Sequence, residues 1–224
     1  MTKPKVIFFD VNETLLDLAP LKASVGAALG GREDLLPLWF TTMLHYSLVD
    51  TLTDDYRPFA EIGVAVLIML GEKQGIDIGR ATAEAAIVPP FLALPPHKDV
   101  KPFLEKLSKT DIELVSLANS SAGAITAQFE FAGIIDYFDR RISTEEVRAF
   151  KPDKRPYVHA LEMVGVQPNE ALMIAAHAWD LAGAKHVGLR TAFIRRPGAV
   201  LYPNTAKPDY CVDGLDELTP MLVD

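Results

Sequence analysis

Four short clusters of polar residues carry side chains that could perform catalysis, and most of them directly follow an apolar run. They are residues 10–14 (Asp-Val-Asn-Glu-Thr), 119–121 (Asn-Ser-Ser), 151–153 (Lys-Pro-Asp) and 177–180 (His-Ala-Trp-Asp). Among them, Glu13 and His177 could form a general base, in which the carboxylate fixes the imidazole tautomer and the other nitrogen takes a proton from water. Because ligands bind beyond the carboxyl ends of strands in open α/β sheets, we expect all four clusters to converge on one cleft.

The elements that must position these clusters alternate from residue 97 onward. Apolar runs predict strands at residues 6–9, 113–117, 171–175, 191–194 and 210–212. Helical patterns between them cover residues 100–109, 122–132, 156–164 and 181–187. The first strand is apolar at every position, as in a strand covered on both faces. This alternation predicts an α/β fold with a doubly wound parallel sheet.

The region between residues 19 and 96 has a different pattern, with helical segments at residues 21–29, 33–48, 56–74 and 80–92. Trp39, Met43 and Tyr46 recur at three- and four-residue spacing, which is typical of a helical bundle. Pro95 and Pro96 then mark a boundary. We predict a small inserted helical cap (residues 19–95) in an α/β catalytic core (residues 1–18 and 96–224).

Composition excludes several classes of partner. The 224 residues carry a formal net charge of −8, which argues against a nucleic-acid or anionic-membrane surface. Cys211 is the single cysteine, so no intrachain disulfide can form. The apolar stretch at residues 62–70 is about half a bilayer span, and the N-terminal strand is too short for a signal-peptide core. We therefore expect a cytoplasmic protein with a small-molecule substrate.

The order of the four clusters resembles a known superfamily. A strand ending in Phe-Phe-Asp10, followed by Thr14-Leu, looks like the first motif of the haloacid dehalogenase superfamily. Asn119 falls where its second motif lies, Lys151 with its proline resembles the third, and Asp180 resembles the fourth. The inserted helices match that superfamily's small cap. The resemblance covers essentially the whole chain and implies a Rossmann-like core.

Within that superfamily, the sequence is most similar to the type II (L-2-haloacid) dehalogenases. Three segments carry the likeness: residues 151–157 (Lys-Pro-Asp-Lys-Arg-Pro-Tyr), 178–180 (Ala-Trp-Asp) and 208–210 (Pro-Asp-Tyr). In that family an aspartate attacks the carbon that bears the halogen, inverts it and forms an ester, which water then hydrolyses. The resemblance also implies a homodimer formed through the cap.

Residue chemistry favours a dehalogenase over the phosphatases of the same superfamily. Those phosphatases carry a second aspartate two residues after the nucleophile and hold magnesium with several carboxylates, whereas this chain has Asn12 and, in the fourth cluster, Asp180 alone. Without a metal, a phosphate dianion beside two carboxylates would be repelled by about 3 kcal/mol for one pair at ~5 Å and an effective dielectric of ~20. A halide needs no protonation to leave. We expect no metal and no cofactor.

The chain also departs from the type II pattern. Phe40 stands where that family has an arginine after an aromatic residue on the cap, and Ala118 stands where it has a serine. His177 replaces an asparagine, and Glu13 lies three residues after Asp10. The last two changes together suggest the Glu–His base.

The leading hypothesis is a metal-independent hydrolase that converts short (S)-2-haloalkanoic acids to 2-hydroxy acids. Asp10 is the expected nucleophile, Lys151 keeps it ionised, Asp180 positions Lys151, and Thr14 orients Asp10. His177 with Glu13 is expected to activate water. The expected substrate-binding residues are Asn119, Ser120, Ser121, Phe40, Trp39, Trp179, Tyr157, Val11 and Asn12.

Two alternatives remain open at this point. One is a magnesium-dependent phosphatase of the same superfamily, and the other is a non-catalytic binding protein that kept the fold. Single residues also have structural explanations, since Asp180 could cap the helix that follows it and the aromatic residues could belong to the core.

Overall fold

The computed structural model describes residues 3–223 and contains one parallel sheet of six strands. The strands are β1 (Val6–Phe9), β2 (Glu113–Ala118), β3 (Arg140–Ser143), β4 (Ala171–Ala175), β5 (Arg190–Ile194) and β6 (Tyr210–Val212). Their order is β3-β2-β1-β4-β5-β6. The chain therefore reverses its direction of winding at β1, so the carboxyl end of β1 is the topological switch point. The predicted doubly wound sheet is confirmed.

The position of β1 follows from its composition. All four of its residues are apolar and buried, and β1 pairs with β2 on one side and β4 on the other. Phe8 and Phe9 point to opposite faces of the sheet and join different hydrophobic clusters. A strand that is apolar at every position fits such a central place.

The strand β3 was not predicted from the sequence. It begins with Arg140 and Arg141, and its first half is partly exposed, because it lies at the edge of the sheet. A short edge strand with charged residues lacks the continuous apolar run that identifies the buried strands.

Helices cover both faces of the sheet. They are α5 (Val100–Leu107), α6 (Ala122–Ala132), α7 (Lys154–Val164), α8 (Ala178–His186) and a short α9 (Thr219–Leu222). Phe103 of α5 and Phe129 of α6 pack in the cluster that contains Phe9. Tyr157 of α7 and Leu181 of α8 pack in the cluster that contains Phe8. Each helix pair thus covers one face of the sheet.

Four further helices lie between β1 and α5, and the described part of this segment has no strand among them. They are α1 (Ala19–Ala28), α2 (Leu36–Leu52), α3 (Phe59–Lys73) and α4 (Arg80–Leu92). The sequence placed the start of α2 at residue 33 and its end at 48, but residues Glu33–Leu35 form a 3-10 turn and the helix continues to Leu52. Trp39 is fully buried and its indole N–H donates to Gly63 O at 2.9 Å.

This helical insertion is joined to the sheet through two adjacent chain segments. The backbone N–H of Asp17 donates to Pro95 O at 2.8 Å, and that of His97 donates to Leu15 O at 2.9 Å. Buried residues of the insertion, including Leu21 and Leu67, belong to the same apolar cluster as Phe9. Within residues 3–223, no helix is long and apolar enough to cross a bilayer.

Candidate active site

The four polar clusters of the sequence meet at the carboxyl edge of the central strands. Asp10 directly follows β1, Asn119 directly follows β2, and His177 lies two residues after β4. Lys151 enters from the connection between β3 and α7. Their side chains are in direct contact or share a hydrogen-bond partner.

Lys151 is a fully buried cation held by three oxygen atoms. Its Nζ donates to Asp10 Oδ1 at 2.8 Å, to Asp180 Oδ2 at 2.6 Å and to Leu117 O at 2.8 Å. An ammonium has three hydrogens, so each is satisfied. Burial alone would lower the pKa of Lys151, but Asp10 and Asp180 outweigh it and raise that pKa above its usual value. The lysine therefore remains charged.

Asp10 accepts hydrogen bonds at both carboxylate oxygens. Oδ1 accepts from Lys151, and Oδ2 accepts from Thr14 Oγ1 at 2.6 Å and contacts His177 Nδ1 at 2.9 Å. Thr14 is fixed in turn, because its hydroxyl accepts from the N–H of Ala176 at 2.9 Å. Burial would raise the pKa of Asp10, yet Lys151 and His177 hold it well below its usual range. The carboxylate is ionised, as a nucleophile must be.

Asp180 lies in the first turn of α8 and is fully buried. Its Oδ2 accepts from Lys151, and its Oδ1 lies 2.6 Å from the Tyr157 hydroxyl, which donates to it. Burial raises the pKa of Asp180, and the charge of Lys151 opposes that shift. Asp180, itself held by Tyr157, thereby gives Lys151 a second carboxylate partner besides Asp10.

Gly183, one turn after Asp180, makes this arrangement possible. A Cβ at this position would lie 2.7 Å from the Tyr157 hydroxyl, 2.7 Å from Tyr157 Cε2 and 2.7 Å from Pro152 O. Such distances are well inside van der Waals contact, so any larger residue would displace Tyr157. The sequence analysis did not identify Gly183. A glycine inside a predicted helix is the signal that could have indicated a close approach.

His177 bridges two carboxylates and is held between two aromatic rings. Its Nδ1 lies 2.9 Å from Asp10 Oδ2, and its Nε2 lies 2.8 Å from Glu13 Oε2. Its ring stacks on Phe40 at 5.9 Å and on Trp179 at 5.0 Å between centroids. Because both nitrogens face acceptors, the ring is an imidazolium. Burial lowers the pKa of His177, but the two carboxylates outweigh it and raise that pKa to about 9.

This protonated state differs from the neutral base that the sequence led us to expect. The nitrogen that would take a proton from water is engaged by Asp10 in the free protein. Glu13 contacts the other nitrogen, as expected, and does so from a backbone φ of 62°, the left-handed region that residues other than glycine rarely adopt.

A cavity of about 470 Å³ lies against His177 and opens between the sheet and the helical insertion. Phe40, Trp179 and Glu13 line it, together with Thr41, Leu44 and Arg196. Trp39, expected to line the same wall, is instead buried inside the insertion behind Phe40, with ring centroids 6.4 Å apart.

Arg196 is a cation at this cavity that the sequence analysis missed. It follows β5, and its guanidinium is anchored to Thr14 O at 3.0 Å and to Asp99 Oδ2 at 2.9 Å. Its position just after a predicted strand is the signal that could have identified it.

The remaining residues that the sequence analysis expected to bind substrate make hydrogen bonds or core contacts within the protein. The N–H of Lys151 donates to Asn119 Oδ1 at 3.0 Å, and Asn12 Nδ2 donates to Ser120 Oγ at 3.2 Å. Ser121 caps α6, because its hydroxyl accepts from the N–H of Ala124 at 3.3 Å. The Val11 side chain is buried in the core, and Tyr157 faces Asp180.

The oxygen atoms around Asp10 do not fit the ligand shell of a magnesium ion. Its carboxylate oxygens, and those of Asp180, already accept from Lys151, Thr14, Tyr157 and His177. Among the residues that the structure describes, no group of three or more His, Cys, Asp or Glu side chains is arranged to hold a metal.

Comparison with known proteins identifies the family of this chain. Residues 4–188 match the family model of haloacid dehalogenase-like hydrolases. The chain belongs to the haloacid dehalogenase-like hydrolase family. A curated relative, an (S)-2-haloacid dehalogenase of Pseudomonas sp. (strain YL), is 30% identical over 94% of this chain and 91% of its own length.

Solved structures of dehalogenases share the fold of this haloacid dehalogenase-like hydrolase. An L-2-haloacid dehalogenase from Xanthobacter autotrophicus superposes with a TM-score of 0.89 at 25% identity, over 97% of this chain and 98% of that one. A dehalogenase crystallised with an intermediate complex has a TM-score of 0.90 at 26% identity, over 100% of this chain and 99% of that one.

Proposed function

We propose that this hydrolase converts short (S)-2-haloalkanoic acids to 2-hydroxy acids through an ester on Asp10. The observation that carries the proposal is the ionised Asp10 carboxylate, held by Lys151, Thr14 and His177 at the switch point of the sheet. The similarity to a protein named (S)-2-haloacid dehalogenase supports this choice of substrate.

In the first step, an oxygen of Asp10 attacks C2 of the substrate from the side opposite the halogen. The C–O bond forms while the C–halogen bond breaks, and the halide leaves with the electron pair, so C2 is inverted. Attack by an ionised carboxylate needs no proton transfer. The charges of Lys151 and His177 offset the repulsion between Asp10 and the substrate carboxylate.

In the second step, water attacks Cγ of Asp10 and the 2-hydroxy acid leaves. Esterification removes the charge of Asp10, which is one of the two carboxylates that keep His177 protonated. The pKa of His177 therefore falls, the Nδ1 proton passes to solvent as the one proton that the net hydrolysis releases, and Nδ1 becomes free to accept a proton from water. His177 then donates this proton to the leaving alkoxide, while Glu13 holds Nε2–H.

The substrate is proposed to lie between the rings of Phe40 and Trp179 on one side and the loops after β1 and β2 on the other. Phe40 and Trp179 supply apolar surface for the halogen-bearing carbon. Asn119 and Ser120, which directly follow β2, are proposed to bind the carboxylate. Trp39 is proposed to act through Phe40, and Tyr157 through Asp180.

We also propose that residues 19–95 act as the cap of this site and that the chain forms a cytoplasmic homodimer. The helix α2 exposes apolar side chains, including Leu48 and Leu52, and Tyr46 lines a groove of about 340 Å³ on the same insertion. A dimer is expected in sedimentation velocity for the wild type, and Leu52→Glu should shift it toward the monomer. A monomeric wild type would contradict the assembly and leave the proposed chemistry untouched.

The direct test is halide release from a panel of 2-haloacids in the presence of EDTA. We expect release from (S)-2-chloropropionate and bromoacetate that survives exhaustive chelation, and none from Asp10→Asn, because an amide is too weak a nucleophile. Loss of turnover in EDTA that magnesium restores, or phosphate-ester hydrolysis without any halide release, would overturn the proposal.

A further inference from the structure

Gln128 is a fully buried amide in α6 that connects the helical insertion to the candidate substrate site. Its Nε2 donates to Phe91 O in α4 at 2.8 Å and to Asn12 Oδ1 in the loop after β1 at 3.1 Å. Both hydrogens of the amide group are therefore used. No residue described above has a catalytic part that requires Gln128, so this link calls for its own explanation.

The end of α4 explains one of these bonds. In a continuing helix, the Phe91 carbonyl would accept from the N–H of residue 95, but this residue is Pro95 and the helix ends at Leu92. The carbonyl is buried and needs another donor, and Gln128 supplies it.

The bond from Gln128 to Asn12 sets the direction of the next hydrogen bond, which joins Asn12 to Ser120. Because Gln128 presents an N–H, Asn12 must present its oxygen to it, and so the Asn12 amide nitrogen faces Ser120. Ser120 Oγ accepts from that nitrogen at 3.2 Å. A hydroxyl has a single hydrogen, which Ser120 thus keeps for donation to another group.

The orphaned oxygen of Gln128 indicates that this amide serves more than packing. Gln128 Oε1 is buried and has no hydrogen-bond partner among the described residues. Turning the amide over would place this oxygen against the oxygens of Phe91 and Asn12, so the observed orientation is the better one. An apolar side chain of the same length would remove this unpaired oxygen but would leave the Phe91 carbonyl without its donor.

We propose that Gln128 is a positioning residue that fixes Ser120 as a hydrogen-bond donor to the substrate carboxylate and couples this subsite to α4. This inference rests on the proposed function, because it requires a carboxylate substrate. We expect an effect on substrate binding rather than on the displacement at C2, since neither Gln128 nor Ser120 contacts Asp10.

The test compares Gln128→Met, Ser120→Ala and the double variant by steady-state halide release from (S)-2-chloropropionate. Gln128→Met should raise KM on the order of 10-fold with kcat nearly unchanged, because a hydrogen bond to a charged group is lost. Ser120→Ala should do the same, and the double variant should be no worse than Ser120→Ala alone. Gln74→Met, an exposed glutamine at the end of α3, is the control and should behave as the wild type.

Gln128→Glu provides a second variant of nearly the same shape. Burial keeps a glutamic acid at this position neutral, so that its one O–H donates to Phe91 O and the same oxygen accepts from the Asn12 amide nitrogen. The Asn12 oxygen then turns toward Ser120, which donates to Asn12 instead of substrate. The same rise in KM is expected. Unchanged KM in both variants, a fall in kcat alone, or independent effects of Gln128→Met and Ser120→Ala would overturn the inference, whereas absence of halide release by the wild type would refute the proposed function itself.

Discussion

Lys151 and His177 each join a pair of carboxylates, and this distribution of charge defines the site. Lys151 lies between Asp10 and Asp180, and His177 lies between Asp10 and Glu13. In the type II pattern an arginine occupies the position of Phe40. Here Phe40 stacks on His177, so the aromatic residue holds the plane of the imidazolium that brings positive charge to the same region.

The protonation of His177 leads to a direct prediction. Its pKa in the free enzyme, followed by NMR of the imidazole carbons, should be near 9, because Asp10 and Glu13 stabilise the charged form. Glu13→Gln removes one of these charges and should lower the pKa. His97 is an internal reference, since burial and Arg196 lower its pKa. A His177 that titrates near 6.5 with Glu13 in place would refute the imidazolium assignment.

The same titration predicts how stability depends on pH. A histidine whose pKa is raised from 6.5 to about 9 on folding stabilises the folded state fully below pH 6.5, and this contribution is lost as pH rises through about 9.

Removal of His177 should separate the two steps of the reaction. His177→Ala should still release about one halide for each active site, since the displacement needs no base. This release should be slower than in the wild type, because the charge of His177 no longer offsets the repulsion between Asp10 and the substrate carboxylate. Ester hydrolysis should slow by roughly 10²–10⁴-fold, the usual contribution of a positioned base. Intact-protein mass spectrometry should then show the acyl group of the substrate on Asp10. Normal turnover, or no alkylation at all, would exclude the proposed part of His177 in hydrolysis.

At the scale of the elements, the close approach of α8 to α7 can be tested with one methyl group. Gly183→Ala should push Tyr157 away from Asp180 and lower the free energy of unfolding by about 1–3 kcal/mol, because the Cβ would lie 2.7 Å from Tyr157 and Pro152. Halide release should fall with it. Gly123→Ala is the matched control in α6, where a Cβ meets nothing within 4 Å. A variant at position 183 as stable and active as wild type would show that Tyr157 has room to move.

Most elements could be predicted because their sequence signals are local. β1 and β4 are continuous apolar runs, and the insertion has no strand signal between residues 19 and 95. β3 could not be predicted, because its arginines suit an exposed sheet edge. The helical pattern predicts the start of α8 at residue 181, whereas the helix begins at Ala178 and contains Asp180 in its first turn.

The candidate site shows a similar division. Asp10, Lys151 and Asp180 could be identified because their types and order form a pattern along the chain. Gln128 could not, because what it does depends on a partner distant in sequence: Asn12 is 116 residues from Gln128. For Gly183 the sequence offers one signal, a glycine inside a predicted helix, which does not name Tyr157 as its partner. The charge of His177 likewise follows from distances and not from residue types.

At the scale of the whole molecule, the insertion and the sheet share one apolar cluster, and the chain crosses between them through paired segments near Leu15 and Pro95. Gln128 adds a buried polar link between the same two parts. Phe40 belongs to the same apolar cluster as Phe9 of β1. The position of Phe40 relative to His177 therefore depends on packing between the insertion and the sheet.

Isotope transfer tests most directly whether Asp10 forms a covalent ester. A single turnover of excess enzyme with (S)-2-chloropropionate in ¹⁸O-water should give lactate without label and enzyme with one ¹⁸O in the Asp10 carboxylate, located by peptide mass spectrometry. The product oxygen comes from Asp10, and water replaces it at Cγ. Labelled lactate in the first turnover, with an unlabelled Asp10 peptide, would mean that water attacks the substrate directly and would contradict the account.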